Sequence, residues 1–232
     1  MDLSLKPRSV LPKDGTAGTL VGRAWLPGEP RGPSIVVLRD DGLRDITRRF
    51  PTIAALLASG DPATDARQAA DAAPALCSLE DCLANTPADR RDPALAYLLA
   101  PIDLQAIKAS GVTFVASLLE RVIEEKTKGN PAAADEVRNA INLQIGGDLA
   151  RVKPGTAEAE RLKLALIERG MWSQYLEVGI GPYAEIFTKS QPMSAVGTGA
   201  DIGIHPDSIW NNPEPEVALA VDVMFPACTL VQ

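Results

Sequence analysis

Trp210-Asn211-Asn212-Pro213-Glu214-Pro215-Glu216-Val217-Ala218-Leu219-Ala220-Val221-Asp222 leads from a proline-flanked acidic pair into an apolar run. Side chains of an extended strand repeat every second residue. Glu214 and Glu216 are therefore expected on one face, about 6.7 Å apart along the chain. Two carboxylates on one face repel unless something positive lies between them. A hard divalent cation held by oxygen ligands resolves that repulsion. Pro213 and Pro215 donate no backbone hydrogen bond, which suits the start or edge of a strand rather than the middle of a sheet. A solvated, extended connector has the same composition, so spacing alone leaves both readings open.

The surrounding chain has 232 residues, of which 46% are hydrophobic and 23% charged. That length allows one domain or two, and the composition supports a sizeable core. Aromatic residues make up only 4%, so the core must be aliphatic and rich in alanine. A net charge of −7 argues against nucleic acid or an anionic membrane as partner. Cys77, Cys82 and Cys228 are too few for a disulfide-stapled scaffold, and no second Cys/His pair accompanies the first two to make a zinc site. Met1-Asp2-Leu3-Ser4-Leu5-Lys6-Pro7 lacks the apolar run of a signal peptide, and no apolar stretch is long enough to span a bilayer. A cytoplasmic location is expected.

Residues 1–15 are expected to form a loose arm. Thr19–Leu26 and Ser34–Leu38 have the β-branched and aliphatic content of strands. Asp40-Asp41-Gly42 is a hairpin signal, with Leu43–Thr47 returning. Pro51–Ser59 is expected to hold a short helix, and Gly60–Arg91 a connector with short helical pieces. A domain boundary is placed near residue 95, giving an N-terminal β domain with connector over 1–95 and a second domain over 96–232.

Thr113–Lys128 carries Phe114, Val115, Leu118, Leu119, Val122 and Ile123 at helical spacing. Asn130-Pro131 reads as a cap followed by proline at the first helical position, starting a second helix to about Ile145. A third follows Thr156 and ends at Gly170, with Glu158 and Glu160 at its start complementing the dipole. Three consecutive helices predict a helical lobe inserted in a β protein. After Trp172 the pattern returns to β, with Ile186–Lys189 a short strand, Ser194–Gly203 turn-like, and a further strand from Glu216.

Four segments resemble the fumarylacetoacetate hydrolase superfamily: Leu99-Ala100-Pro101-Ile102-Asp103, Gly111-Val112-Thr113-Phe114, Glu185-Ile186-Phe187-Thr188-Lys189, and Asn212-Pro213-Glu214-Pro215-Glu216-Val217. Within that superfamily the chain is most similar to the 2-keto-3-deoxyxylonate and 2-keto-3-deoxyarabinonate dehydratases, over roughly residues 18–222. The resemblance implies an α+β fold: a small N-terminal β domain, then a fumarylacetoacetate-hydrolase-like β-roll with a helical lobe. It implies Mg²⁺, or another divalent cation such as Mn²⁺, held by Glu214, Glu216 and an aspartate from a later strand. It implies an acid/base role for Glu185 in the pocket and matches Lys189 to a lysine of the same motif. A surface salt-bridge lysine is the alternative for Lys189.

The implied chemistry is loss of water from a small-molecule 2-keto acid. The cation acts as Lewis acid on the chelated carboxylate and keto oxygens, a carboxylate takes the C3 proton, and an acid helps the C4 hydroxyl depart. The hydrolase branch uses a histidine just after the segment matching Gly111–Phe114, where this chain reads Val115-Ala116-Ser117-Leu118-Leu119-Glu120. Its one histidine, His205, lies elsewhere. That favours a dehydratase over a hydrolase of 2,4-diketo acids. A non-catalytic binding module is the reading from a different class.

The chain departs from the superfamily after Asp222. Val223–Gln232 does not resemble it, and the third metal ligand is not supplied at the expected place. Asp222 stands six residues past Glu216, about 20 Å along a strand, too far to substitute without a sharp bend. A truncated β-roll is therefore expected, with open strand edges, poor solubility and little activity for this chain alone. A full-length chain is expected to form a homo-oligomer.

Overall fold

The computed structural model describes residues 4–111, 115–127, 130–145, 152–183, 185–208, 216–221 and 228–231. The chain forms two compact units, one of residues 1–106 with 190–232 and the other of residues 107–189. The fold is mixed α+β.

The first unit is built on β1 (Leu20–Leu26), β2 (Gly32–Arg39), β3 (Gly42–Asp45), β4 (Ala75–Cys77) and β5 (Tyr97–Leu98). They form one antiparallel sheet in the order β4-β3-β2-β1-β5. The expected hairpin is present. Arg39 pairs with Gly42 across a turn of Asp40 and Asp41. Gly42 has φ +131°, and a Cβ there would stand 2.4 Å from the Cys77 carbonyl oxygen, so the position requires glycine.

Strand β2 is the centre of this unit, with Ile35, Val36 and Val37 each only 1% exposed. The sheet is covered on both faces, which is why the run is continuously apolar rather than alternating. Helix α1 is the single turn Pro7–Val10, and Ile35 and Val37 pack with Ile53, Leu56 and Leu57 of α2 (Ile53–Leu57) and Ala66, Ala69 and Ala70 of α3 (Pro62–Asp71). Val36 faces the other way and packs with Ala24, Leu43 and Cys82, the last from α4 (Leu79–Ala84).

Several elements differ from the sequence expectation. The N-terminal arm contains α1. The 60–91 stretch holds the ten-residue helix α3, strand β4 and helix α4. Asp61 caps α3, accepting the Thr64 N–H at 3.1 Å, and Pro62 occupies its first turn. Its buried face is alanine, so the sequence offered little hydrophobic contrast. The boundary expected near residue 95 falls inside the first unit, just before β5 pairs with β1. Residues 190–232 group with the N-terminal segment, so the first unit is discontinuous in sequence.

The second unit holds β6 (Ile107–Ser110), α5 (Val115–Thr127), α6 (Pro131–Ile145), α7 (Ala157–Glu168), α8 (Gln174–Ile180) and β7 (Ile186–Ser190, whose last residue groups with the first unit). The three predicted helices are present and form the inserted helical lobe. Asn130 Oδ1 accepts the Ala132 N–H at 3.1 Å, and Thr156 Oγ1 accepts the Ala159 N–H at 3.3 Å, as their cap positions require. Where β structure was expected after Trp172, α8 comes first. Ser173 caps it, and Leu176 and Ile180 are buried in the lobe. The core joins Leu118, Leu119, Val122 and Ile123 of α5 with Ile141 of α6, Leu162 and Leu166 of α7, and α8. Arg138 donates through Nε and Nη2 to both carboxylate oxygens of Glu120, at 2.7 and 2.6 Å, tying α6 to α5. That guanidinium holds the Glu120 carboxyl below its ordinary range.

The last described elements are β8 (Ala218–Val221) and β9 (Cys228–Val231), an antiparallel pair in the first unit. Ala220 packs into the α2–α3 side of the core, while Val217, Leu219 and Val221 are exposed. Among the described residues, no helix is long and apolar enough to cross a membrane.

Candidate functional site

The sequence-predicted residues Glu185 and Lys189 belong to the β6–β7 ribbon. Glu185 stands immediately before β7, and its backbone carbonyl accepts the Gly111 N–H at 2.9 Å. A Cβ on Gly111 would stand 2.5 Å from Val178 Cγ1 of α8 and 3.6 Å from Glu185 Cβ. Glycine at this position lets the two strands of the ribbon and α8 close together. Lys108 Nζ donates to Thr188 Oγ1 at 2.5 Å across the same ribbon.

The Glu185 side chain is exposed. Lys189 is exposed as well, and its Nζ lies 5.3 Å from the centre of the Phe187 ring. This is a cation–π contact between next-but-one residues on one face of the strand. Glu185 has the same parity as Phe187 and Lys189, so all three side chains share the face. Along a strand, Glu185 and Lys189 are about 13 Å apart, so they serve different ends of any ligand they share.

Glu216 is exposed and lies just ahead of β8, in the first unit. Glu214 and Asp222 lie outside the described residues, and with them the expected pairing of Glu214 and Glu216 on one face. Among the described residues, no group of three or more His, Cys, Asp or Glu side chains is assembled to hold a metal. His205 is exposed, with Nδ1 accepting the Asp207 N–H at 3.2 Å, a local turn contact.

Asp103, from the Leu99–Asp103 segment of the resemblance, has a structural task. It is 4% exposed. Its carboxylate accepts the N–H groups of Ile53 at 2.6 Å, Ala54 at 3.3 Å and Leu104 at 2.7 Å. Arg23 Nε lies 3.8 Å from Asp103 Oδ2, and Arg23 Nη1 donates to the carbonyls of Ala100 and Ile102. This network fixes the segment against α2 and β1.

The second unit also contains a cleft of about 270 Å³ lined by Thr156, Lys163, Trp172, Gly181 and Pro182, among others. Lys163 Nζ is 2.7 Å from Glu177 Oε2 and 5.3 Å from the centre of the Trp172 ring. Its charge is thus already matched, and the Glu177 carboxylate raises its pKa.

Sequence reasoning passed over one chemically competent pair. Cys77 and Cys82 lack the second Cys/His pair of a zinc site, yet both pack in the cluster of Ala24, Val36 and Leu43 at the start of α4. The neighbouring Cys82 thiol lowers the Cys77 pKa to about 7, against burial and the nearby Asp81 charge. The Cys77 thiol, with burial, pushes Cys82 up. The signal was present in Cys77-Ser78-Leu79-Glu80-Asp81-Cys82, where a serine cap is flanked by two cysteines at the spacing of a helix staple.

No family model, no curated protein and no solved structure matches the chain. The likeness to the fumarylacetoacetate hydrolase superfamily therefore rests on the four segments quoted above.

Proposed function

We propose that this chain carries residues of a divalent-metal-dependent hydro-lyase that removes water from a 2-keto-3-deoxy sugar acid. The observation that carries this reading is the pairing of Gly111 with Glu185, which makes hydrogen-bonded neighbours of two of the four resembling segments, distant in sequence. The donor chemistry of Glu214 and Glu216 fits Mg²⁺ or Mn²⁺, since both offer only hard carboxylate oxygen. When bound, the cation supplies Lewis acidity toward a chelated 2-keto acid.

The chain's own groups do the rest. Glu185 accepts the C3 proton, and the electron pair released at C3 moves toward the C2 carbonyl. Return of that electron pair expels the C4 hydroxyl, which leaves as water with a proton from the acid form of the same carboxyl. Lys189 stands on the same face about 13 Å along the strand, farther than a five-carbon acid extends, so it reaches the substrate only by swinging its long side chain toward Glu185.

Because little activity is expected of this chain alone, the test is prolonged incubation of the chain at high concentration with Mg²⁺ and 2-keto-3-deoxypentonate, read by mass spectrometry as loss of one water from the substrate. Turnover is expected to stop on chelation by EDTA and to fall about 100-fold or more in Glu185→Gln, the usual size of a general-base contribution. Cleavage of a 2,4-diketo acid in place of dehydration would replace this reading with the hydrolase. No metal-dependent change in either substrate would overturn it in favour of a non-catalytic module.

A further inference from the structure

The first turn of α4 holds two thiols together. Ser78 caps the helix, so Cys77 stands immediately before the cap and Cys82 at the fourth helical position. Helix N-termini commonly bring two apolar side chains together at this spacing. The turn is fixed by Ser78 Oγ, which accepts the Asp81 N–H at 3.0 Å and donates to Asp81 Oδ2 at 2.6 Å. Cys77 is held from the other side, because it ends β4 and pairs with Leu43. Cys82 is held by Thr86 Oγ1, which donates to its carbonyl oxygen at 2.8 Å. Cys82 is buried and Cys77 half-buried, so one thiol of the pair is reachable from solvent and the other is not.

We propose that Cys77 and Cys82 form a reversible dithiol–disulfide pair that exchanges with low-molecular-weight disulfides. The Cys77 thiolate attacks one sulfur of the disulfide, forming a mixed disulfide and releasing one thiolate of the reagent. Cys82 then loses its proton to solvent, and its sulfur attacks Cys77 Sγ, expelling the second thiolate. Two protein thiols are oxidised, one external disulfide is reduced to two thiols, and the two protons released balance the two thiolates.

The neighbouring Cys82 thiol lowers the Cys77 pKa to about 7, which meets the first requirement, a thiolate near neutral pH. The staple geometry supplies the second, a resolving thiol packed in the same small cluster. The product ties the edge strand β4 to the start of α4.

The experiment equilibrates the full chain, carrying Cys228→Ser to remove the third cysteine, in buffers of reduced and oxidised glutathione. Remaining thiols are then blocked with iodoacetamide and the protein is digested with trypsin. Both cysteines fall in one peptide, Gln68–Arg90. The expected product is that peptide unalkylated and lighter by two hydrogens, reverting to the doubly alkylated form with dithiothreitol. Cys82→Ser is expected to stop at a stable glutathione adduct on Cys77. At pH 7, Cys77 of the reduced protein is expected to alkylate about tenfold faster than an unperturbed cysteine of pKa near 8.5. Two alkylated cysteines at every glutathione ratio, or only a Cys77 adduct in the chain retaining Cys82, would overturn the proposal. Both of these outcomes are read without relying on the folding of the Cys82→Ser variant.

Discussion

Asp103 shows what a single residue does here and why it was hard to read. The sequence marked it as part of a motif, whereas its carboxylate caps the start of α2 and faces the buried Arg23 guanidinium. Removing it leaves a buried cation and two helix N–H groups without their acceptor. Asp103→Ala is therefore expected to lose about 3–5 kcal/mol in urea unfolding, the cost of breaking a buried pair. A loss below 1 kcal/mol would show that water replaces the carboxylate. Glu120 gives the pH counterpart. Arg138 lowers its pKa in the folded chain, so its contribution is present above the unfolded carboxylate range and disappears as pH falls through the folded value. Glu120→Gln is thus expected to be less stable than the parent at pH 7 and equal to it at strongly acid pH. A difference unchanged by pH would contradict that. Caps such as Asn130 and Thr156 were legible because their partners lie within three residues, whereas Asp103 depends on partners near residues 23 and 53.

At the scale of elements, legibility followed hydrophobic contrast. Helix α5 has a stripe of large aliphatic residues and was plain in the sequence. The hairpin β2–β3 was plain because a continuous apolar run meets an Asp-Asp-Gly turn. Helix α3 was not, because its buried positions Ala66, Ala69 and Ala70 differ little from the alanines around them. Strand β4 is three residues long and takes its place by pairing with β3, which no local pattern announces. The same small residues make a prediction. Ala70 is 0% exposed, so Ala70→Leu has no room and is expected to cost about 1–3 kcal/mol by overpacking. Leu162 is also 0% exposed, and Leu162→Ala is expected to cost about 2–5 kcal/mol through the cavity it leaves. Thermal or urea unfolding of the two variants checks both, and wild-type stability in either would contradict the packing described.

For the molecule as a whole, the sequence showed the α+β class and an inserted helical lobe. It did not show that residues 190–232 group with the N-terminal sheet, since that depends on contacts between segments distant in the chain. Of the site, Glu185 and Lys189 lie on one ribbon beside Gly111, while Glu214 falls outside the described residues. Among the described residues the lobe has its own core of eleven buried residues, so a fragment of residues 107–189 is expected to retain a helical circular dichroism spectrum and a cooperative melt. The central claim, a carboxylate site for a divalent cation, is tested most directly by titrating the full chain with Mn²⁺ and measuring bound ion by electron paramagnetic resonance. The account predicts saturable binding that is lost or sharply weakened in Glu214→Gln and Glu216→Gln. No saturable binding, or equal binding in the parent and both variants, would contradict it.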